Sequence, residues 1–174
     1  MSLSKKSLTI SVLPDYPPEI GRWLWGLEDV RRTLLDKVAG LTQEELDRKL
    51  EGHSSTIGSL LYHIALIEVD WLYAEVLMME PDSEIEAWFP IPHRDRQGQL
   101  SQVYGEDLER HTQRLAAVRG DLLERFRMVD LEDWRHPREL PDYEVTPEWV
   151  IYHLIEHEAH HRGQIAQMVH ELRK

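Results

Sequence analysis

At 174 residues, with 20 Lys and Arg against 32 Asp and Glu, the chain has a formal charge of −12 and no cysteine. So acidic a chain repels polyanions, which argues against nucleic acid or an anionic membrane as its principal partner. Disulfides, thiolate ligands and a cysteine nucleophile are excluded, which suits a reducing cytoplasm. No apolar run approaches the ~20 residues of a membrane span, and the start shows no signal-peptide core.

The length predicts one domain over residues 1–174, with residues 1–17 as a leader. Ser7 to Leu13 alternates loosely and reads as extended until Pro14, Pro17 and Pro18 end it. The first helix is expected from Pro18 to Val38, with proline in the first turn where a missing N–H is harmless. Ile20, Trp23, Leu24, Leu27, Leu34, Leu35 and Val38 form its apolar stripe, which Arg31 interrupts. Trp25 falls on the opposite side. Thr42-Gln-Glu-Glu45 has capping-box spacing and predicts a short helix over 43–48.

A second long helix is expected after Ser54-Ser55-Thr56, running to Met79 before Pro81 closes it. Leu60, Ile64, Ile67, Trp71, Ala74 and Met78 share one face, and His63 lies at its edge. The proline-containing connection from Glu80 to Gln99 shows no strand pairing. Its Trp88, Phe89 and His93 are candidates to cover a site mouth. The third helix is expected over Leu100 to Met128, with Tyr104, Leu108, His111, Leu115, Val118 and Leu122 at near-heptad spacing. His111 reads as a core histidine. After a second connection, Thr146-Pro147-Glu148 supplies an N-cap, a first-turn proline and a first-turn acid for the last helix. Four long amphipathic helices and no convincing strand predict an all-α fold, a four-helix bundle with long connections between helices two and three and between three and four.

The last helix holds the chemistry. Four of the ten histidines, His153, His157, His160 and His161, fall within nine residues. At roughly 100° per residue they share one face with Gln164, Val150 and Met168, so that face points inward. A lone inward histidine is usually satisfied by a carbonyl or carboxylate. A cluster of this density calls for a bound transition metal, because neutral imidazole is its commonest ligand. Two pairs have one-turn spacing, His153 with His157 and His157 with His161, and helix geometry does not choose between them. His157-Glu158-Ala159-His160-His161 also matches the H-E-x-x-H pattern of zincin peptidases, with Glu158 as the possible base. No sheet edge is expected that would hold a peptide strand.

Leu60-Leu-Tyr-His63-Ile-Ala-Leu-Ile-Glu-Val-Asp-Trp71 and His157-Glu-Ala-His-His161-Arg-Gly-Gln164 resemble the second and last helices of the DinB/YfiT-like metalloenzyme family. The resemblance runs from about Trp23 onward. It implies a four-helix bundle, often dimeric, with a divalent metal on His63, His157 and His161. It also implies that some members activate a low-molecular-weight thiol for transfer to an electrophile. Zinc or nickel is the expected cofactor, with iron or manganese as alternatives. An ion on three imidazoles keeps an open position for water or a small-molecule substrate. Asp70, Glu158, His153 and Gln164 are candidates for the outer partners that orient ligand histidines. His160, about 100° from its neighbour His161, is expected outside the ligand set. Gly163 is expected to admit another backbone, and Arg162 to face away from the histidines. The function expected is a metal-dependent transferase or hydrolase. The alternatives are a noncatalytic metal-binding protein and, below it, the peptidase. Trp25 on the outer face of the first helix suggests a homodimer.

Overall fold

The computed structural model describes residues 8–174, and Ser7 of the expected extended leader lies outside the described residues. Leu8 to Leu13 form no strand; the Leu13 N–H donates to the Gly21 carbonyl at 3.2 Å and lays the leader against the first helix. A Cβ on Gly21 would stand 2.8 Å from Val12 Cγ1, so only glycine admits this approach.

The fold is all-α apart from one small hairpin. Its helices are α1 (Pro18–Val38), α2 (Gln43–Asp47), α3 (Ile57–Asp70), α4 (Ser83–Glu86), α5 (Leu108–Phe126), α6 (Leu131–Arg135) and α7 (Pro147–Leu172). Local chemistry sets the boundaries. Thr42 and Glu45 close a capping box on α2, while Thr56, Asp107 and Thr146 accept N–H groups at the starts of α3, α5 and α7.

Three expectations need correction. The third long helix begins at Leu108 rather than Leu100, because Asp107 caps it and Gly105 turns the chain just before it with φ +79°. Tyr104, placed on its inward stripe by sequence, is exposed. The second long helix does not stay α-helical: Trp71–Leu77 form a π-helical turn that ends on left-handed Met78, whose successor donates to Tyr73 O at 3.0 Å. The connections are not free of strand pairing either. β1 (Arg138–Glu139) pairs antiparallel with β2 (Glu144–Val145), and Arg94 bridges Leu100.

The four long helices share one apolar core, with α1 packed on α7 and α3 packed on both α5 and α7. Leu24, Leu27, Leu34, Ile64, Leu122, Val150 and Ile165 are all buried, at a typical gain of about 1.5–3 kcal/mol per side chain. Trp134 of α6 plugs one end, edge-on to Phe126 at 6.0 Å.

Within this core lies a buried ionic cluster joining the four long helices. Arg31 of α1 donates to Glu158 at 2.6 Å and Glu68 at 2.7 Å; Arg119 of α5 donates to Glu68 at 2.7 Å and Glu158 at 3.0 Å. The carbonyls of Leu115 and Leu27 take a further N–H from each arginine. Burial pushes the Glu68 carboxyl up, but the guanidiniums of Arg119 and Arg31 outweigh it and hold the group below the usual carboxylate range. Arg31, which breaks the apolar stripe of α1, is one hub of this cluster.

Candidate metal centre

His63 sits on α3 and His157 and His161 on α7, and the antiparallel packing of these helices brings the three rings together. One ring nitrogen from each lies within 4.8 Å of the other two, the single such group among the described residues. Nε2 of His157 stands 3.1 Å from Nε2 of His63 and 3.1 Å from Nε2 of His161. His63 is buried, His161 is nearly so, and His157 is half-buried.

On His161 the far side of the ring fixes where the proton is. Gln164 Oε1 can only accept, so the His161 Nδ1 atom 2.8 Å away carries the hydrogen. Nδ1 of His63 lies 3.1 Å from Nε2 of His93, whose ring stacks on it at 5.1 Å with an interplanar angle of 14°. Burial above all, helped by His161 and His93, pushes His63 down to about 3. Burial, with His161 and His63 next, does the same to His157, also to about 3. His161 is lowered by burial against the opposing hydrogen bond from Gln164. All three imidazoles are therefore neutral at pH 7.

With Nδ1 protonated, His161 presents a bare Nε2 lone pair to the centre, and His63 does the same when Nδ1 donates to His93. His157 Nε2 has at most one proton to serve two contacts. At least one 3.1 Å nitrogen pair thus lacks the hydrogen that would make it attractive, an arrangement a cation resolves. Metal–nitrogen bonds of about 2.0–2.1 Å meeting at roughly 90–109° put their nitrogens about 2.9–3.4 Å apart, and 3.1 Å lies inside that range. The donor set fits a divalent transition ion.

A family model of the DinB superfamily matches residues 26–165. The chain belongs to the DinB superfamily. Among curated proteins none matches it. The matched DinB span contains all three histidines together with His93 and Gln164, their hydrogen-bond partners.

Other residues singled out in the sequence fall elsewhere in this DinB fold. Glu158 is 2 % exposed with both carboxylate oxygens held by arginines, so it offers no free base beside the histidines. His153 lies against Trp71 at 4.4 Å and stacks on Trp149 at 5.1 Å. Exposed His160 stands edge-on to His161 at 5.2 Å, and its ring lies 3.0 Å from Gln164 Nε2. His111 is buried away from the centre with Nε2 3.1 Å from where a Cβ on Gly58 would stand. Exposed Asp70 makes no hydrogen bond to the three histidines. Gly163 has nothing within 4 Å of a built Cβ, so no backbone approaches it as expected. Arg162 does face away, donating to Thr33 on α1 at 2.6 Å.

Of the three connection residues expected at the mouth, only His93 reaches the histidines. Trp88 lies under the Arg110 guanidinium at 4.0 Å, and Phe89 packs edge-on against Tyr62 at 5.4 Å. Tyr62, the neighbour of His63, pins the connection: its hydroxyl donates to Ile91 O at 2.6 Å and accepts from Ile91 N at 3.0 Å. His93 follows two residues later. Its role as outer partner of His63 escaped the sequence reading, because a 30-residue separation leaves no periodic signal.

Proposed function

We propose that this DinB protein is a metal-dependent enzyme built on a four-helix-bundle scaffold, with His63, His157 and His161 holding one divalent ion through Nε2. The observation that carries the reading is the set of 3.1 Å Nε2 contacts that lack a full complement of protons. Zinc or nickel suits an all-imidazole set, and iron or manganese is the alternative. Bound there, such an ion lowers the pKa of a coordinated thiol or water. Gln164 keeps His161 in the tautomer that turns Nε2 inward, and His93 does so for His63 when it accepts from Nδ1. The resemblance to thiol-activating relatives favours transfer of a low-molecular-weight thiol to a small electrophile, with hydrolysis second. A zincin-type reaction would need a free Glu158, whose carboxylate is occupied by two arginines.

The test begins with elemental analysis of purified protein, followed by turnover of a thiol-conjugation and an ester substrate. Chelator should abolish turnover and added metal restore it. Metal at one ion per chain without turnover of either substrate would leave the noncatalytic reading; no metal at all would remove both.

A further inference from the structure

α3 and α7 run antiparallel, and the line of ring contacts between them continues past the histidines to Trp71 and Trp149. Eight residues separate His63 from Trp71 and His157 from Trp149, a distance of about 12 Å along each helix. There a cavity of about 610 Å³ has a lining that includes Trp71, Trp149, Tyr143, Pro137, Val145 and Glu144. The Trp71 and Trp149 rings are 5.2 Å apart and tilted by 42°. His153 touches both, and its ring is 5.9 Å from that of His157, so it joins the cavity to the centre.

The charges around this cavity are of one sign. Glu144 lines it. Glu75, on the π-helical turn begun by Trp71, accepts the Tyr143 hydroxyl proton at 2.6 Å, while its other oxygen is buried with no hydrogen-bond partner. Among the described residues no Lys or Arg belongs to the lining. Nearby Arg138 spends its guanidinium on Asp133 and the carbonyls of Val76, Asp133 and His136. Among the described residues, neither Glu144 on the cavity wall nor Glu75 behind Tyr143 has a basic partner.

We propose that this cavity is a subsite for an organic ammonium group, the recognition end of the substrate whose reacting end meets the histidines. The placement of that reacting end rests on the metal-centre reading above. Aromatic faces attract a cation through their quadrupole, and the carboxylates supply the compensating charge. Proline, valine and the indole rings accept alkyl substituents on the nitrogen. A neutral apolar group would use the walls but leave the carboxylates unanswered, and an anion would be repelled.

Titration calorimetry with choline and its neutral isostere 3,3-dimethylbutan-1-ol tests the subsite directly. Choline should bind saturably at one per chain, about 10-fold more tightly than the isostere. Trp149→Leu and Glu75→Gln should each weaken choline about 5-fold or more while circular dichroism stays unchanged. Glu144→Gln, at an exposed position, serves as the second charge variant should Glu75→Gln unfold. Chelator-treated protein should bind choline as before, since none of the three histidines lines the cavity. Equal affinity for the two probes would make the cavity a plain apolar pocket and overturn the proposal. So would the absence of saturable binding at millimolar choline, or an unaffected Trp149→Leu variant. Choline binding by a protein that takes up no metal would sink the metal reading and leave the subsite standing; metal without choline binding would do the reverse.

Discussion

Each of the three histidine rings lies 4.9 Å or less from the other two, so none is dispensable at the centre. Replacing His63, His157 or His161 by Ala is expected to abolish stoichiometric metal, read by elemental analysis after dialysis. His153→Ala and His160→Ala should retain it. Gln164→Ala and His93→Ala, which release the outer nitrogens of two rings, should cost about 10–100-fold in affinity by competition with a chromophoric chelator. A His161→Ala protein that kept full metal while His153→Ala lost it would shift the site by one turn. His111 makes a separate prediction about stability. Burial, opposed by Glu106, pushes it down to about 4 from 6.5, so the unfolded chain binds this proton more readily than the folded one. Its neutral form therefore favours folding above pH 6.5, and that contribution drains away as pH falls toward 4, by about 3 kcal/mol in all. In urea unfolding, His111→Gln should flatten the fall in stability between pH 6 and 5 by up to about 1 kcal/mol relative to the unsubstituted protein. An identical slope in both would show that His111 is not the group responsible.

At the scale of elements, the ionic cluster makes the four long helices depend on one another. Arg119 raises the question most sharply, because removing it leaves Glu68 and Glu158 with Arg31 as their only cationic partner. Arg119→Met should destabilise the fold by about 3–5 kcal/mol in urea unfolding, since two buried carboxylates lose half their compensation. A loss below about 1 kcal/mol would show that the helices are held by apolar packing alone. Sequence periodicity revealed the four long helices and the inward face of α7, because burial imposes a repeat on each. It also led to the His63, His157 and His161 set, though only with the family resemblance to choose the second pair. Arg31 reads as a break in a stripe and Glu158 as a possible base or outer partner, because a charged residue on a helix does not reveal its partners on other helices. The start of α5 was misplaced because Tyr104 happens to continue the heptad spacing, while Asp107, the real cap, carries only a local signal. The π-helical turn at Trp71 has no marker such as Pro or Gly, and the left-handed Met78 that ends it would not be guessed from its residue type.

The whole molecule presents one more apolar surface, on the side of α1 away from the ionic cluster. Trp23 and Trp25 are half-buried there, and with Ile10, Gly26 and Ile155 they line a cavity of about 390 Å³ that Glu19 and Arg22 also border. Trp23 meets half-exposed Tyr152 of α7 edge-on at 6.4 Å, which carries the aromatic surface across the α1–α7 seam. Aromatic residues with few charges among them are what the centre of a protein–protein interface is made of. The expected occupant is a second copy of the chain. Two subunits of charge −12 repel each other, so ordinary salt, which screens exposed charges beyond about 10 Å, should favour the pair. Sedimentation velocity at micromolar protein should therefore show a dimer whose population grows from low to half-molar salt. Trp25→Glu places a charge in the centre of the seam and should yield a folded monomer, its thermal midpoint confirming that the helices remain packed. A monomer at every salt concentration, or a Trp25→Glu protein that stays dimeric, would mean that this aromatic face is covered by something other than itself.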